Sequence, residues 1–447
     1  MLLVLVGLRL KNDGAFHFRG ATRKHKAGKG TGDGVSSALG ASIRSCDDER
    51  MITRNPREIS FFARTDFRGQ HKVFGIRQRD RLHHMYLIGK TGVGKSTLLA
   101  TLIKQDIERG RGLMLLDPHG ELVSQVRQLV PPSRRPDVIY FNVPDNRERL
   151  GFNPLETVPE NRRSLAAGGL LDAFKKLWAD SWGPRLEHIL RNAIHALLEH
   201  PGATLADIPR ILDDSSFRKT VAANVTNAEV RRFWLKEFEG YPARLKAEAI
   251  APIQNKVGAF LTDPVLRDVL TVPRGSIRLR EIMDEGKVLL VDLSKGKIGE
   301  DTSSLLGSLL ASRINLAALS RADTPERERR DFFVYLDEFQ TFTSLSFVTM
   351  LSELRKYHVG AVLAHQYLAQ LDEQVKEGIL GNVGTLVVFR LGATDAEVFA
   401  QEFDPHFTET DITNLANFRA YLKLMIDGQV SAPFSAETIP PESLNET

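Results

Sequence analysis

The sequence predicts an α/β protein: a mainly parallel, doubly wound sheet flanked by helices, with an all-α domain inserted into it. Three observations carry that prediction. Apolar runs of strand length recur along the chain, most of them apolar throughout, as strands buried on both faces require. A glycine-rich loop, Gly89-x-x-x-x-Gly94-Lys95-Ser96, lies between one such run and a helical segment. From about 160 to 280 the strand-like runs stop and helical periodicity replaces them.

The first elements follow a weakly structured start. Residues 1 to about 55 form a basic, Gly-rich stretch whose KHKAGKGTGDGVSSALGAS imitates a phosphate loop without the strand and Gly-Lys-Ser/Thr that one needs. It reads as a disordered extension or the product of an upstream start. SFFARTDF and HKVFGI, separated by Arg68-Gly69-Gln70, predict a hairpin. Strands are then expected at MYLIG (85–89), LMLLD (113–117), VIYFNV (138–143), KVLLVDL (287–293), FFVYLDE (332–338), GAVLAHQ (360–366), TLVVFRLG (385–392) and AYLKLMIDG (420–428). Between the third and fourth stand LLDAFKKLW, PRLEHILRNAIHALLEH, VRRFWLKEF and IAPIQNKVGAFL, all with helical spacing. The expected division is a tail (1–55), a first part of a nucleotide-binding domain (56–160), an all-α insertion (161–282) of roughly 120 residues, and the second part (283–447).

Composition narrows the class. A chain of 447 residues, 42% hydrophobic and 26% charged, is long enough for two or three globular domains. Its net charge of +4 is small for that length, so the whole-chain balance supports nucleic-acid binding only weakly. Cys46 is the sole cysteine, which excludes an intrachain disulfide and a cysteine-based zinc site and fits a reducing cytoplasm. MLLVLVGL is followed at once by Arg9, Lys11, Asn12 and Asp13. It is shorter than the about 18 residues a span needs and lacks the order of a secretory signal. No transmembrane segment is expected; a peripheral place at the inner face of a membrane, through a partner, stays open.

The loop chemistry is explicit. Gly89, Gly92 and Gly94 let the backbone of Lys90, Thr91 and Val93 wrap phosphates with its N–H groups. Lys95 reaches the β- and γ-phosphates, and Ser96 ligates Mg²⁺. The helix expected over about 96–109 points its positive end at the same anions. Thr97 either supports the loop or simply begins that helix. ATP and Mg²⁺ are therefore the expected cofactors.

FFVYLDEFQTF supplies the complementary acids. Asp337 and Glu338 arrive at the carboxyl end of a strand, where open α/β sheets bind ligands. Asp337 would hold Mg²⁺ through water, and Glu338 would polarise an attacking water. The competing reading is a plain capping pair at a strand end. Gln366 closes another strand, placed to bond the γ-phosphate or the attacking water, whereas His365 beside it reads as packing. Two arginines compete for an arginine finger supplied in trans: Arg355, on the helix after the acids, and Arg390, ending TLVVFR. The alternative for each is an ordinary surface ion pair. Asp117, in LMLLDPHGEL, is either turn chemistry or a neighbour of the site. His188 and His195 read as core or surface residues. Trp178, Trp182 and Trp234 read as core of the helical domain, or as base-stacking groups where exposed.

The order of these motifs resembles the HerA–FtsK division of P-loop ATPases. GKTGVGKST, DPHGEL, FNPL (152–155), VLLVDLSKGKIG, VYLDEFQTF and SELRKYHVGAVLAHQYLAQL carry the likeness, over about 58 to 440. Together with the all-α insertion they resemble the TraG/TraD-type coupling proteins of conjugation and type IV secretion. That resemblance implies a RecA-like P-loop NTPase fold and a homo-oligomeric, usually hexameric, ring that hydrolyses ATP and pumps DNA. It implies nucleotide between subunits, with the neighbour's arginine matching Arg355 and the strand-end glutamine matching Gln366. The insertion would meet the substrate, with relaxosome or secretion-channel proteins as further partners. The chain departs from membrane-bound coupling proteins in having no transmembrane helices and no long acidic tail. Two other readings stand beside it: a HerA-like helicase or translocase in DNA end processing, and a nucleotide-gated adaptor without motor activity. Arg162, Arg163, Lys175 and Lys176 are DNA-contact candidates no better than any solvated face.

Overall fold

A computed structural model describes residues 55, 57–66, 71–156 and 158–446; the basic stretch before them, with Cys46, lies outside the described residues. Residues Arg54–Thr447 form one compact unit. No helix among the described residues is long and apolar enough to cross a membrane.

Among the described residues thirteen strands form: β1 (Ile59–Thr65), β2 (Val73–Arg77), β3 (Met85–Ile88), β4 (Gly112–Asp117), β5 (Val138–Asn142), β6 (Val288–Asp292), β7 (Phe332–Asp337), β8 (Val359–His365), β9 (Thr385–Val388), β10 (Arg419–Lys423), β11 (Met425–Ile426), β12 (Gln429–Val430) and β13 (Phe434–Thr438). Eleven of them make one sheet, in the order β2-β1-β13-β10-β9-β3-β8-β7-β4-β6-β5. From β9 to β5 every neighbour is parallel. The other edge is antiparallel and includes the expected β1–β2 hairpin. Every residue of β3, β4, β6, β7, β8 and β9 is buried. That is the physical basis of their unbroken apolar runs: helices cover both faces.

Two departures concern the carboxyl-terminal part. AYLKLMIDG, expected as one strand, breaks at Leu424, whose N–H donates to Ser431 Oγ, so β10 ends and the small β11–β12 hairpin starts. Phe434–Thr438, not anticipated, returns between β10 and β1. Its alternation is weak because only Ala436 and Thr438 are buried.

Between β5 and β6 there is no strand among the described residues. Helices α3 (Arg163–Leu177), α4 (Pro184–Leu198) and α5 (Ala243–Thr262) dominate, whereas α1 (Lys95–Glu108) and α2 (Glu121–Leu129) precede them in the sheet-bearing part. After β6 come α6 (Glu300–Ser320) and α7 (Leu345–Leu354). Helix α6 is buried along most of its length and packs on α3, so one core runs from a sheet face into the helical segment. Trp178 stacks on Phe174 with ring centroids 4.7 Å apart, and Trp234 is fully buried with Nε1 donating to Asn192 O at 3.2 Å. Trp182 is half-buried and donates to Glu187. All three act as packing groups.

A buried charge cluster aligns the loop helix with the sheet. Arg81, just before β3, forms a bidentate pair with Asp106 of α1 at 2.6 and 2.8 Å, both side chains 0% exposed. Arg111 adds a second cation to Asp106 at 2.8 Å, and Tyr335 of β7 accepts from Arg81 at 2.6 Å. Burial by itself raises the Asp106 carboxyl; Arg81 and Arg111 outweigh that and hold it below its ordinary range. Asp106→Asn leaves two guanidinium groups short of their counter-charge in the core. It should lower stability by about 3–5 kcal/mol, read as a drop in the urea midpoint of the chain.

Candidate active site

The phosphate loop joins β3 to α1 at the carboxyl edge of the sheet. Gly92 (φ 77°) and Gly94 (φ 119°) occupy conformations that side chains rarely adopt. At Gly89 a Cβ would stand 2.5 Å from Phe389 Cβ, so only hydrogen fits. The loop is tied to both neighbouring strand ends: Gly89 N–H donates to His365 O at 3.3 Å and Lys90 N–H to Arg390 O at 3.0 Å. Lys95 is buried, and its ammonium donates to the carbonyls of Gly89 (2.5 Å) and Lys90 (3.1 Å). Burial lowers its pKa while Glu338 and Asp337 oppose that. Lys90, Thr91, Gly92 and Ser96 are exposed at the mouth; Thr97 sits in the first turn of α1, its carbonyl accepting from Thr101.

Strand order decides what faces the loop. β8 lies between β3 and β7, so Gln366, at the end of β8, stands between the loop and the acids. Gln366 Nε2 donates to Glu338 Oε1 at 2.8 Å, and its Oε1 accepts from Thr91 Oγ1 at 3.1 Å. Gln340 Nε2 holds the other Glu338 oxygen at 2.8 Å. Glu338 adopts a left-handed conformation (φ 48°), a strained geometry for this residue type that aims its carboxylate along the edge.

Asp337 is buried beside three further carboxylates at the same edge. Asp117 and Glu338 are near enough to raise its pKa, and Asp292, also buried, does the same to Asp117. Burial is the main cause, and Asp337 is pushed up to about 7, with Lys95 opposing. Both readings of Asp117 meet here. Its carboxylate accepts from His119 N–H (2.8 Å) and Val123 N–H (3.0 Å), shaping the turn into α2, and it also faces Asp337. His365 is a packing residue, buried against Phe339 and hydrogen-bonded to the Tyr86 hydroxyl, and burial lowers its pKa to about 3.

The profile of one protein family, described as the type IV secretion-system coupling protein DNA-binding domain, matches residues 72–423. The chain belongs to that family. Among solved structures, the bacterial conjugative coupling protein TrwBdeltaN70 is similar at a TM-score of 0.57 and 18% identity, over 87% of this chain and 90% of that one. Plasmid coupling protein TrwB in complex with a non-hydrolysable ATP analogue gives 0.57 and 18%, over 87% and 95%. VirB4 of Thermoanaerobacter pseudethanolicus gives 0.58 and 13%, over 86% and 98%. These likenesses establish a shared RecA-like P-loop NTPase fold. No curated protein matches by sequence.

For a coupling-protein chain, the two arginines fall in informative places. Arg355 does not lie within the helix after the acids; it caps α7 and opens a short 3-10 turn, because the chain must reverse there to enter β8. Its Nη1 is 3.3 Å from Nδ1 of His83, which precedes β3, so it stands at the amino edge of the sheet. The seven residues of β8 separate it from the loop edge, roughly 20 Å at about 3.3 Å per residue. It cannot serve the loop of its own chain. Arg390 lies two residues beyond the end of β9 rather than on the strand. Its carbonyl anchors the chain's own loop and its guanidinium donates to Leu415 O at 3.3 Å.

Two residues escaped sequence reasoning. Phe418 is 45% exposed with φ 66°, its ring against the position a Gly94 Cβ would take and its N–H donating to Val93 O at 2.7 Å. No motif marks it. Lys176, read as a solvated basic residue, is instead turned inward: Nζ donates to Gln340 O (2.5 Å) and Thr343 O (2.9 Å), just past Glu338. Arg163 is likewise engaged, with Glu199, while Lys175 is exposed. His188 pairs with Glu237 and His195 is half-buried on the same helix.

The raised Asp337 carboxyl has a direct consequence for stability. The folded chain binds that proton more tightly than the unfolded one, whose carboxyl titrates near 3.8. This contribution is therefore complete below about pH 4 and fades as pH rises to about 7. In metal-free buffer, Asp337→Asn should be more stable than the parent at pH 8, on the order of 3 kcal/mol, with the difference vanishing towards pH 4. Urea midpoints across that range check it.

Proposed function

We propose that this chain is an ATP-hydrolysing motor that moves DNA, working as a homo-oligomeric, hexameric ring. The observation that carries the reading is the bridge Thr91–Gln366–Glu338, which links the phosphate loop to the water-polarising acid through a strand-end glutamine. An adaptor that only binds nucleotide has no use for a carboxylate held by two amides.

The residues present fit ATP and Mg²⁺. The loop's Lys90, Thr91, Gly92 and Ser96 are exposed at its mouth, and the Lys95 ammonium is held there by the carbonyls of Gly89 and Lys90, which phosphate oxygens can replace. Ser96 and Asp337 would hold Mg²⁺, which when bound neutralises phosphate charge and the excess of buried carboxylates. Lys95 binds the β- and γ-phosphates. Glu338 accepts the proton of the attacking water, with its oxygens oriented by Gln340 and Gln366. Gln366 senses the γ-phosphate because it already bonds both sides of the site. Phe418 offers its exposed face to the base.

Arg355, held away from its own site, serves the neighbouring subunit, where it neutralises charge as the γ-phosphoryl leaves. We assign residues 56–160 and 283–447 to the nucleotide-binding domain and 161–282 to the inserted all-α domain, which meets DNA or its relaxosome carriers.

ATP hydrolysis should rise with DNA and with protein concentration, tracked together with mass in solution. Equal rates with and without DNA at all concentrations would sink the motor reading. Arg355→Ala and Glu338→Gln should each be inactive, yet their mixture should recover activity at shared interfaces. No recovery would exclude a trans arginine.

Lys176 joins the helical insertion to the loop that carries Gln340, and Gln340 holds Glu338. Lys176→Ala should lower kcat for DNA-stimulated hydrolysis about tenfold with KM for ATP unchanged, because positioning of the acid is lost and phosphate binding is kept. A change in KM alone would contradict this.

A further inference from the structure

At the root of the helical insertion the two chain crossings meet. Phe152 N–H donates to Val269 O (2.9 Å), Ser276 N–H to Gly151 O (2.8 Å), and Asn153 Nδ2 to Pro273 O (3.1 Å). Between these crossings and α6 lies a cavity of about 550 Å³, within the range of small-molecule sites. None of its lining residues belongs to the phosphate loop or the acid strand. It flanks Ser320 at the end of α6, next to Arg321, whose guanidinium bonds the carbonyls of Tyr357 and Arg330 ahead of β8 and β7. The cavity thus belongs to the amino edge of the sheet, opposite the candidate active site.

Its charge is unbalanced. Five arginines and three carboxylates line it, and all three carboxylates are already engaged. Glu156 accepts from Gly275 N–H at 2.6 Å, Glu281 pairs with Arg278 at 3.1 Å, and Asp323 pairs with Arg280 at 2.8 Å. Among the described residues, Arg162, Arg274 and Arg313 have no carboxylate within 4.0 Å. Arg313 is set deepest: its one hydrogen bond goes to Glu156 O at 2.9 Å, and burial, opposed only by Glu156, lowers its pKa to about 10. The Glu156 carboxylate offsets only part of the desolvation of a guanidinium so placed. Phe152, Ile277 and Leu316 give the same cavity an apolar floor.

We infer that this cavity binds a free phosphate ester of nucleotide size, its phosphate forked by Arg313, Arg162 and Arg274 and its ring on the apolar floor. Guanidinium forks match phosphate oxygens two at a time, and the floor suits a flat ring. Because the walls come from both crossings and from α6, an occupant clamps the insertion to the sheet. The inference stands apart from the hydrolysis reading, since it uses none of its residues.

The test uses AMP, which lacks the β- and γ-phosphates that the loop grips, and the full chain carrying Lys95→Ala to silence that loop. Calorimetry should show one equivalent of AMP bound, with inorganic phosphate weaker, and a rise in Tm on AMP addition. Arg162→Glu and Arg274→Glu, the first at a half-buried and the second at an exposed position, should each weaken AMP at least tenfold and abolish the Tm rise where circular dichroism shows the variant folded; Arg313→Gln should do so too if circular dichroism shows it folded. Absence of saturable AMP binding, or binding untouched by these changes, overturns the inference. So does phosphate binding as tightly as AMP, which leaves the floor without a role. Loss of duplex DNA affinity in these variants without any AMP binding would reassign the arginines to the DNA path.

Discussion

The pair between Arg81 and Asp106 sets the frame in which every other part of the site is placed. Both side chains are fully buried, and the guanidinium reaches the hydroxyl of Tyr335, two residues before Asp337. One charge cluster therefore joins the start of β3, the far end of the loop helix and the strand that carries the acids. A buried pair gains little net stability over apolar packing, but breaking it is costly. That asymmetry suits a registering device: helix and strand cannot slide without exposing an unpaired charge in the core.

From that frame, strand order does the rest. Inserting β8 between β3 and β7 puts Gln366 within reach of both Thr91 and Glu338. It also crowds Asp117, Asp292, Asp337 and Glu338 at one edge with Lys95 facing them. Desolvation acts against both signs, raising Asp337 to about 7 and lowering Lys95. The site is thus built with electrostatic demand unmet by the protein alone, as a centre that works on a metal-bound phosphate chain requires.

The helical insertion is joined to this centre by packing and by one lysine. Helix α6 continues the sheet core into α3, and from α3 Lys176 reaches the loop after Glu338 across 164 residues of sequence. At the opposite edge, the same insertion is rooted by crossings that enclose an arginine-lined cavity. The two contacts with the sheet have different chemistry: one buries a cation against carbonyls, the other leaves cations facing open space.

Much of this was legible in the chain itself. The phosphate loop, the acid strand and the parallel core could be read directly, because positive-φ glycines and two-sided burial impose short local patterns. The helical interval followed from spacing, and Gln366 was marked by its place at a strand end after the acids, but its bond to Glu338 appears only in the structure. What remained hidden depended on chain path: the return of Phe434–Thr438 into the sheet, the exposed Phe418 beside the loop, the inward turn of Lys176 and the edge on which Arg355 stands. SELRKYH reads the same whichever edge its arginine reaches, and Lys176 reads as any surface lysine. Local sequence determined which chemistry is present, since backbone conformation and burial are written residue by residue. Only the tertiary structure decided which groups meet, since contacts between distant segments depend on strand order and helix packing.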